Sequence, residues 1–168
     1  MPADQLRYAI RPAQLGDVAA INEIYNHYVS HSTCTYQSEP VTLESGAEWF
    51  KAHDAEHPAL VAEGDGGILG WASASMFHSR FGYRHTVEDS VYIRDGLHGR
   101  GLGTALLSDL LGRCKAIGHH AMIAGISADQ EPSVALHKKF GFTEVARLKE
   151  VGRKFDRWLD VIYMEKLL

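Results

Sequence analysis

Cysteine is scarce in this chain: Cys34 and Cys114 are the only two among 168 residues. Two thiols so far apart exclude a disulfide framework and a cysteine-based zinc knuckle. A reducing compartment accounts for them most simply, so the cytoplasm is the expected location. Long apolar runs are missing as well. No stretch approaches the ~20 apolar residues that span a bilayer, and Met1 to Ile10 carries charges where a secretory leader would have an apolar segment. The expectation is a soluble, unprocessed protein with no membrane partner. Basic runs are absent and the formal charge is -4, which removes the electrostatic reason to bind a nucleic-acid backbone. Repeats, low-complexity tracts and Pro/Gly/Ser linkers are lacking too, so residues 1–168 read as a single domain, with 45% hydrophobic residues to fill one sizeable core.

What is present is an alternation of helical and strand patterns. Tyr8 to Arg11 is short and extended. From Asp17 as an N-cap, Ile21, Ile24, Tyr25, Tyr28 and Val29 recur at helical spacing and make one apolar stripe. Ser45 to His53 reads as a second helix. Ala59 to Glu63 and Ile68 to Phe77 read as a hairpin around Asp65-Gly66-Gly67. Thr86 to Arg94 is the next strand. Leu102, Leu106, Leu110 and Ile117 mark a long helix stopped at Gly118, followed by a strand from Ala121 to Ile126 and a helix from Pro132 to Phe140. Two closing strands, Phe142 to Glu150 and Trp158 to Lys166, are joined by a polar segment, Gly152 to Asp156. This order predicts an α/β (α+β) fold with one central mixed sheet.

Between the Thr86 strand and the long helix lies His98-Gly99-Arg100-Gly101-Leu102-Gly103-Thr104. Free N–H groups at a helix N-terminus, with glycines that allow close approach, make an anion site suited to a pyrophosphate. An ATP loop would end in Gly-Lys-Ser/Thr, and here Gly103-Thr104-Ala105 supplies no lysine. A dinucleotide fingerprint would need a third glycine three residues after the second, and the chain has none there. An ordinary strand-to-helix loop stays open on this motif alone.

The turn resembles the pyrophosphate loop of the GNAT superfamily of N-acetyltransferases, Gln/Arg-x-x-Gly-x-Gly/Ala, with Gly101 and Gly103 on its glycines and His98 at the Gln/Arg position. Within that superfamily the chain is similar, over nearly its whole length, to the phosphinothricin and methionine sulfoximine N-acetyltransferases. The resemblance is carried by Tyr25-Asn26, by Arg80-Phe81-Gly82-Tyr83-Arg84-His85-Thr86-Val87-Glu88-Asp89-Ser90-Val91-Tyr92, by Pro132-Ser133-Val134-Ala135-Leu136-His137 with Gly141-Phe142, and by Val151 to Asp160. Gln130 stands where relatives usually have Asn. The resemblance implies a GNAT-type, mostly antiparallel sheet flanked by helices and splayed open between two strands. It implies acetyl-CoA as cosubstrate, its pantetheine arm in the gap on backbone groups of Val91 and Ile93 and its pyrophosphate on Gly99 to Thr104. It also implies a homodimer. The expected cofactor contacts are thus Val91, Tyr92, Ile93, His98, Gly99, Arg100, Gly101, Leu102, Gly103, Thr104, Gln130 and Ser133.

An amine attacks a thioester only when neutral, so a base is needed, and a carboxylate raised in pKa by burial serves. Glu88, three residues before Val91, is the candidate base, and the N–H of Val91 the candidate oxyanion donor. His137 is the candidate general acid for the departing thiolate. Arg80, whose forked guanidinium suits a carboxylate or phosphinate, and Tyr83 are assigned to substrate, as are Asp89, Ser90 and Glu88; Tyr36 and Phe77 are candidate pocket walls. Lys154 and Trp158 read as structural. No metal is expected: ten histidines include His27/His31 and His53/His57 at i, i+4 spacing, but Tyr28 and Asp54 stand where a zinc protease needs Glu. The functional expectation is N-acetylation of a small amino-acid-like amine. Another amine (peptide N-terminus, aminoglycoside or polyamine) and a non-catalytic acyl-CoA-binding module are the alternatives.

Overall fold

A computed structural model describes residues 6–168; the first five residues of the charged stretch Met1 to Ile10 lie outside it. In chain order the elements are β1 (Tyr8–Pro12), α1 (Val18–His31), α2 (Leu43–Lys51), β2 (Ala59–Gly64), β3 (Gly67–Met76), β4 (Thr86–Ile93), α3 (Leu102–Ile117), β5 (Ala121–Ser127), α4 (Glu131–Lys139), β6 (Thr143–Lys154) and β7 (Arg157–Leu167). The strands form one seven-stranded sheet in the order β1-β2-β3-β4-β5-β7-β6. All neighbours are antiparallel except β4 and β5.

That parallel pair is where the sheet opens. β4 and β5 share only the rungs Thr86↔Ala121, Val87↔Met122 and Glu88↔Ile123. β4 nevertheless stays paired to β3 as far as Gly70↔Ile93, and β5 to β7 as far as Ser127↔Val161. Beyond Glu88 the sheet is therefore two arms of a V whose inner edges hold backbone groups that the ladder does not use.

Strand alternation builds a separate core on each face. Ala72 and Ala74 of β3 face α3, where their small size lets Leu102, Leu106, Leu107 and Leu110 close down on Val87, Met122 and Met164. On the other face Val61, Ile68 and Trp71 meet Ile21 and Ile24 of α1, with Tyr25, Tyr28, Trp49 and Tyr92 around them.

Three local expectations are corrected. Asp17 does not cap α1; it closes a 3₁₀ turn, Leu15–Asp17, with helical backbone angles, and its carboxylate accepts from the Gln14 N–H and from Arg11. The second helix starts earlier than Ser45 because Thr42 caps it, its hydroxyl accepting from the Ser45 N–H at 3.1 Å. The closing strands are longer than read: β6 runs to Lys154, and the connection is two residues, Phe155 and Asp156, both with positive φ (49° and 57°). Such a pair matches the twist of a tight hairpin even without glycine. Glu150, also at positive φ (52°), marks a bulge between Leu148 and Gly152.

Candidate active site

The V between β4 and β5 widens into a groove of about 590 Å³, roofed by α4 and closed at one end by the N-terminus of α3. It is lined by the expected residues Val91, Tyr92, Ile93, His98, Gly99, Gly101, Leu102, Gly103, Thr104, Gln130 and Ser133, and by Asp89, Ser90 and His137. Arg100 is not in the lining. Tyr28, Cys34 and Lys139 are, and sequence reasoning did not place them there; Tyr28 was counted only as part of an apolar stripe, although its hydroxyl marked it as amphipathic.

The glycine turn has the geometry its chemistry requires. Gly99 and Gly101 adopt left-handed backbone angles (φ 74° and 85°), and the first intrahelical bond runs from Ala105 N to Gly101 O. The N–H groups of Leu102, Gly103 and Thr104 are thus left without helical acceptors, at the positive end of a 16-residue helix. On β4 the parity of the ladder is set by Arg94, whose N–H donates to Leu69 on the β3 side. Alternation then turns the N–H and C=O groups of Val91 and Ile93 toward the gap. The Ile93 carbonyl is already taken there, accepting from the Tyr28 hydroxyl, whose oxygen also lies 3.0 Å from His98 Nε2. Burial first, then the nearby Cys34 and Asp95, push the Tyr28 phenol up, so it keeps its proton.

At the narrow end of the V, Glu88 and Asp89 part company, because neighbours on a strand face opposite sides. Glu88 faces α1 and α2, across from Ser75 on β3 and beside Gly125 on β5. A Cβ at Gly125 would sit 3.1 Å from Glu88 Oε1 and 3.5 Å from the Tyr163 ring, so the missing side chain opens the space in front of the carboxylate. Glu88 is half-buried; desolvation, and secondarily the charge of Asp89, raise its pKa above the ordinary carboxylate value.

Asp89 faces α4 instead, on the opposite side of β4 from Glu88, and its carboxylate is committed to His137. Its carboxylate accepts from His137 Nε2 at 2.8 Å, while His137 Nδ1 donates to the Ser133 carbonyl at 2.7 Å. Both side chains are almost wholly buried, at 5% and 2% exposed. Burial opposes the imidazolium, but the hydrogen bond and charge of Asp89 and the Ser133 carbonyl outweigh it, and the His137 pKa is raised. With both ring nitrogens engaged, His137 has no free N–H to give a thiolate. The expected general acid is in this arrangement an anchor of α4 on β4.

The remaining expected residues lie around the rim. Tyr36 packs on Gly152, where any Cβ would come within 2.2 Å of its ring, and its hydroxyl donates to Ser127 at the end of β5. Ser127 and Thr33 both donate to Asp129, which also pairs with Arg157, and the Gln130 side chain donates to Thr33. This network ties the loop after α1 to the turn before α4 and commits the Gln130 amide to the loop. Lys154 secures the same loop: its buried ammonium donates to the carbonyls of Tyr28, Ser32 and Thr35, and burial lowers its pKa. Arg80 is exposed, and beside it Phe77 and Tyr83 pack edge to face at 6.0 Å, near the end of β4 that carries Glu88. Among the described residues, no group of three or more His, Cys, Asp or Glu is placed to hold a metal ion, and no helix is long and apolar enough to cross a membrane.

A split parallel pair with a glycine turn at its mouth is a backbone arrangement that comparison with known proteins can recognise. The family model described as the acetyltransferase (GNAT) family matches residues 21–142. The chain belongs to the GNAT acetyltransferase family. Relatives of this GNAT chain include the L-amino acid N-acyltransferase MnaT of Escherichia coli, 41% identical over 94% of this chain and 92% of that protein. The L-methionine sulfoximine/L-methionine sulfone acetyltransferase of Salmonella typhimurium is 41% identical over 93% and 92%. Among solved structures, a GNAT superfamily phosphinothricin acetyltransferase from Sinorhizobium meliloti in complex with AcCoA superposes with a TM-score of 0.92, at 38% identity over 96% of this chain and 88% of that one. The V, the two cores and the helical roof are thus the frame of an N-acetyltransferase.

Proposed function

We propose that this enzyme transfers the acetyl group of acetyl-CoA to the α-amino group of a small amino-acid-like acceptor of the methionine sulfoximine, methionine sulfone or phosphinothricin type. The observation that carries the reading is the V itself: an anion-binding turn stands at its open end, and at its apex a half-buried carboxylate, Glu88, has its pKa raised. The free amides of Gly99 to Thr104 fit a diphosphate, and the gap-facing Val91 carbonyl and Ile93 N–H fit the amides of a pantetheine arm. Bound there, acetyl-CoA supplies the thioester. Glu88 takes a proton from the acceptor ammonium, directly or through water, and the neutral amine attacks. The Val91 N–H stabilises the oxyanion that forms. Collapse of the adduct breaks the C–S bond, and the second proton of the acceptor nitrogen passes to the departing thiolate, directly or through water, so no dedicated side-chain acid is required.

Arg80, Tyr83, Phe77, Ser90 and Tyr36 are assigned to the acceptor in this reading, and the Arg80 guanidinium suits an acceptor that carries its own carboxylate. The relatives named for amino-acid acceptors support this choice over polyamines or aminoglycosides. A half-buried carboxylate with room kept in front of it by Gly125 favours catalysis over a non-catalytic acyl-CoA-binding module. The test is thiol release from acetyl-CoA with a panel of amino acids, peptides and polyamines. Turnover with methionine sulfone, methionine sulfoximine or phosphinothricin is expected, with KM raised by about tenfold or more on Arg80→Ala; absence of turnover with all three overturns the substrate assignment.

The proposal extends to a single domain over residues 1–168, supported by one sheet that takes strands from Tyr8 to Leu167. It extends to the cytoplasm, supported by two free thiols. It also extends to a homodimer through β6, which forms an edge of the sheet, is exposed at every residue from Thr143 to Val151, and is flanked by exposed Trp158 and Phe155. Light scattering should give twice the mass of 18.6 kDa, and Val151→Lys with Trp158→Lys should halve it.

A further inference from the structure

We propose that His98 engages the diphosphate of coenzyme A only as the imidazolium, and that Tyr28 is the positioning residue that makes it so. The proposal rests on the diphosphate lying against the Gly99 to Thr104 amides. A phenol has one hydrogen, and a carbonyl can only accept, so the Tyr28 hydroxyl spends its hydrogen on the Ile93 carbonyl. The 3.0 Å contact between Tyr28 Oη and His98 Nε2 must then use a hydrogen carried by Nε2. That fixes the tautomer. In the neutral ring Nδ1 is the only nitrogen left to face the groove, and it presents a lone pair, which repels a phosphate oxygen. With a second proton Nδ1–H becomes a donor, and the ring gains a charge that a diphosphate rewards.

The place of His98 gives this consequence. It lines the groove immediately before the glycine turn, with Tyr28 behind it on α1. A glutamine or arginine, the residues of the resembled motif, would donate to phosphate at every pH; a histidine whose Nε2 hydrogen is committed does so only when Nδ1 is protonated as well. The charged and titratable groups around it leave that switch to His98. Lys139 on α4, 3.5 Å from the Thr104 hydroxyl, and Arg100 in the turn are the basic side chains nearby. Cys34, which also lines the groove, is pushed up by burial and stays a thiol. Tyr28 stays a phenol. On the outer side Asp95 is 3.7 Å from His27, which stacks on His31 at 4.7 Å between ring centres; Arg94 is paired with Glu23. Of these, His27 and His31 are also imidazoles, and the experiment separates them from His98.

Binding therefore takes up a proton, and affinity falls as pH rises. The probe is 3′-dephospho-CoA, because the 3′-phosphate of CoA would itself titrate at about pH 6; pantetheine, which has no diphosphate, is the control. Titration calorimetry at pH 6, 7 and 8, in buffers of different ionisation enthalpy, reads Kd and the protons taken up. Wild type should weaken about five- to tenfold between pH 6 and pH 8, with uptake of up to one proton near neutrality. His98→Gln should bind with a Kd that does not vary with pH, and pantetheine should show no pH dependence with either protein. Tyr28→Phe should bind more weakly at pH 6 with a shallower slope. A flat wild-type profile, or a slope that survives in His98→Gln, overturns the role of His98, and a Tyr28→Phe protein indistinguishable from wild type overturns that of Tyr28. Failure of the probe to bind at any pH would instead remove the diphosphate from the glycine turn, which is the reading beneath.

Discussion

At the scale of single residues, the energetic tension lies in Glu88. A carboxylate whose pKa is raised by burial and by a neighbouring charge binds protons more readily in the folded chain than in the unfolded one. Its ionisation therefore costs stability as pH rises from the unfolded value through the folded one. The same shift brings it nearer to the working range of a base. Glu88→Gln should accordingly lower kcat by about 10²–10⁴-fold and yet melt at a higher temperature than wild type at pH 7.5, with the advantage vanishing near pH 4. In wild type, kcat/KM should fall on acidification with an apparent pKa above that of an ordinary glutamate. A variant that loses activity without gaining stability would show that the carboxylate is paired in solution. Gly125 belongs to the same scale. In Gly125→Ala the new Cβ would stand 3.1 Å from Glu88 Oε1, so the base must move by a few tenths of an ångström. About a tenfold loss in kcat is expected, with acetyl-CoA affinity kept, as measured by steady-state kinetics beside calorimetry.

At the scale of elements, β4 and α4 are held by one buried contact, His137 with Asp89. Removing one member of such a pair strands the other, which costs about 3–5 kcal/mol. Asp89→Ala should lose stability of that order in urea melts at pH 6. Because the His137 pKa is raised in the fold, the stability from its protonated form is fully present below the unfolded value and fades as pH rises through the folded one. The gap between Asp89→Ala and wild type should then narrow at alkaline pH; a gap that stays constant would mean that the contact does not depend on the imidazolium. Element boundaries show where local signals lose to context. Asp17 has the composition of an N-cap, but Arg11 on β1 draws its carboxylate into a turn one step earlier. Phe155 and Asp156 form a two-residue hairpin turn without any glycine to announce it, their backbone held by the register of β6 on β7 and by Lys154 beneath.

At the scale of the whole molecule, the groove is a space between two arms that only a bound molecule can bridge. A ligand that spans the V binds the folded state alone, so coenzyme A at one hundred times its Kd should add about 2.7 kcal/mol and raise the melting temperature by roughly 5–10 °C. A scanning-fluorimetry titration reads this directly, and an unchanged melting temperature would place the coenzyme outside the V.

The sequence by itself determined the elements and the cofactor end of the site. Helical and strand periods, the glycines of the turn and the run from Arg80 to Tyr92 are local patterns, and a pyrophosphate cradle is a local structure, made by a few consecutive backbone amides at a helix start. Only the tertiary structure decided which side chains face one another. It placed Glu88 and Asp89 on opposite faces of the sheet, bound both nitrogens of His137, brought Tyr28 from α1 to His98, and set Lys154 under a loop some 120 residues earlier, at separations of 119 and 122 residues. The physical reason is range. Backbone conformation and patterning act over a few residues, whereas the partner of a buried polar group is chosen by whatever acceptor the packing of distant segments brings within 3 Å.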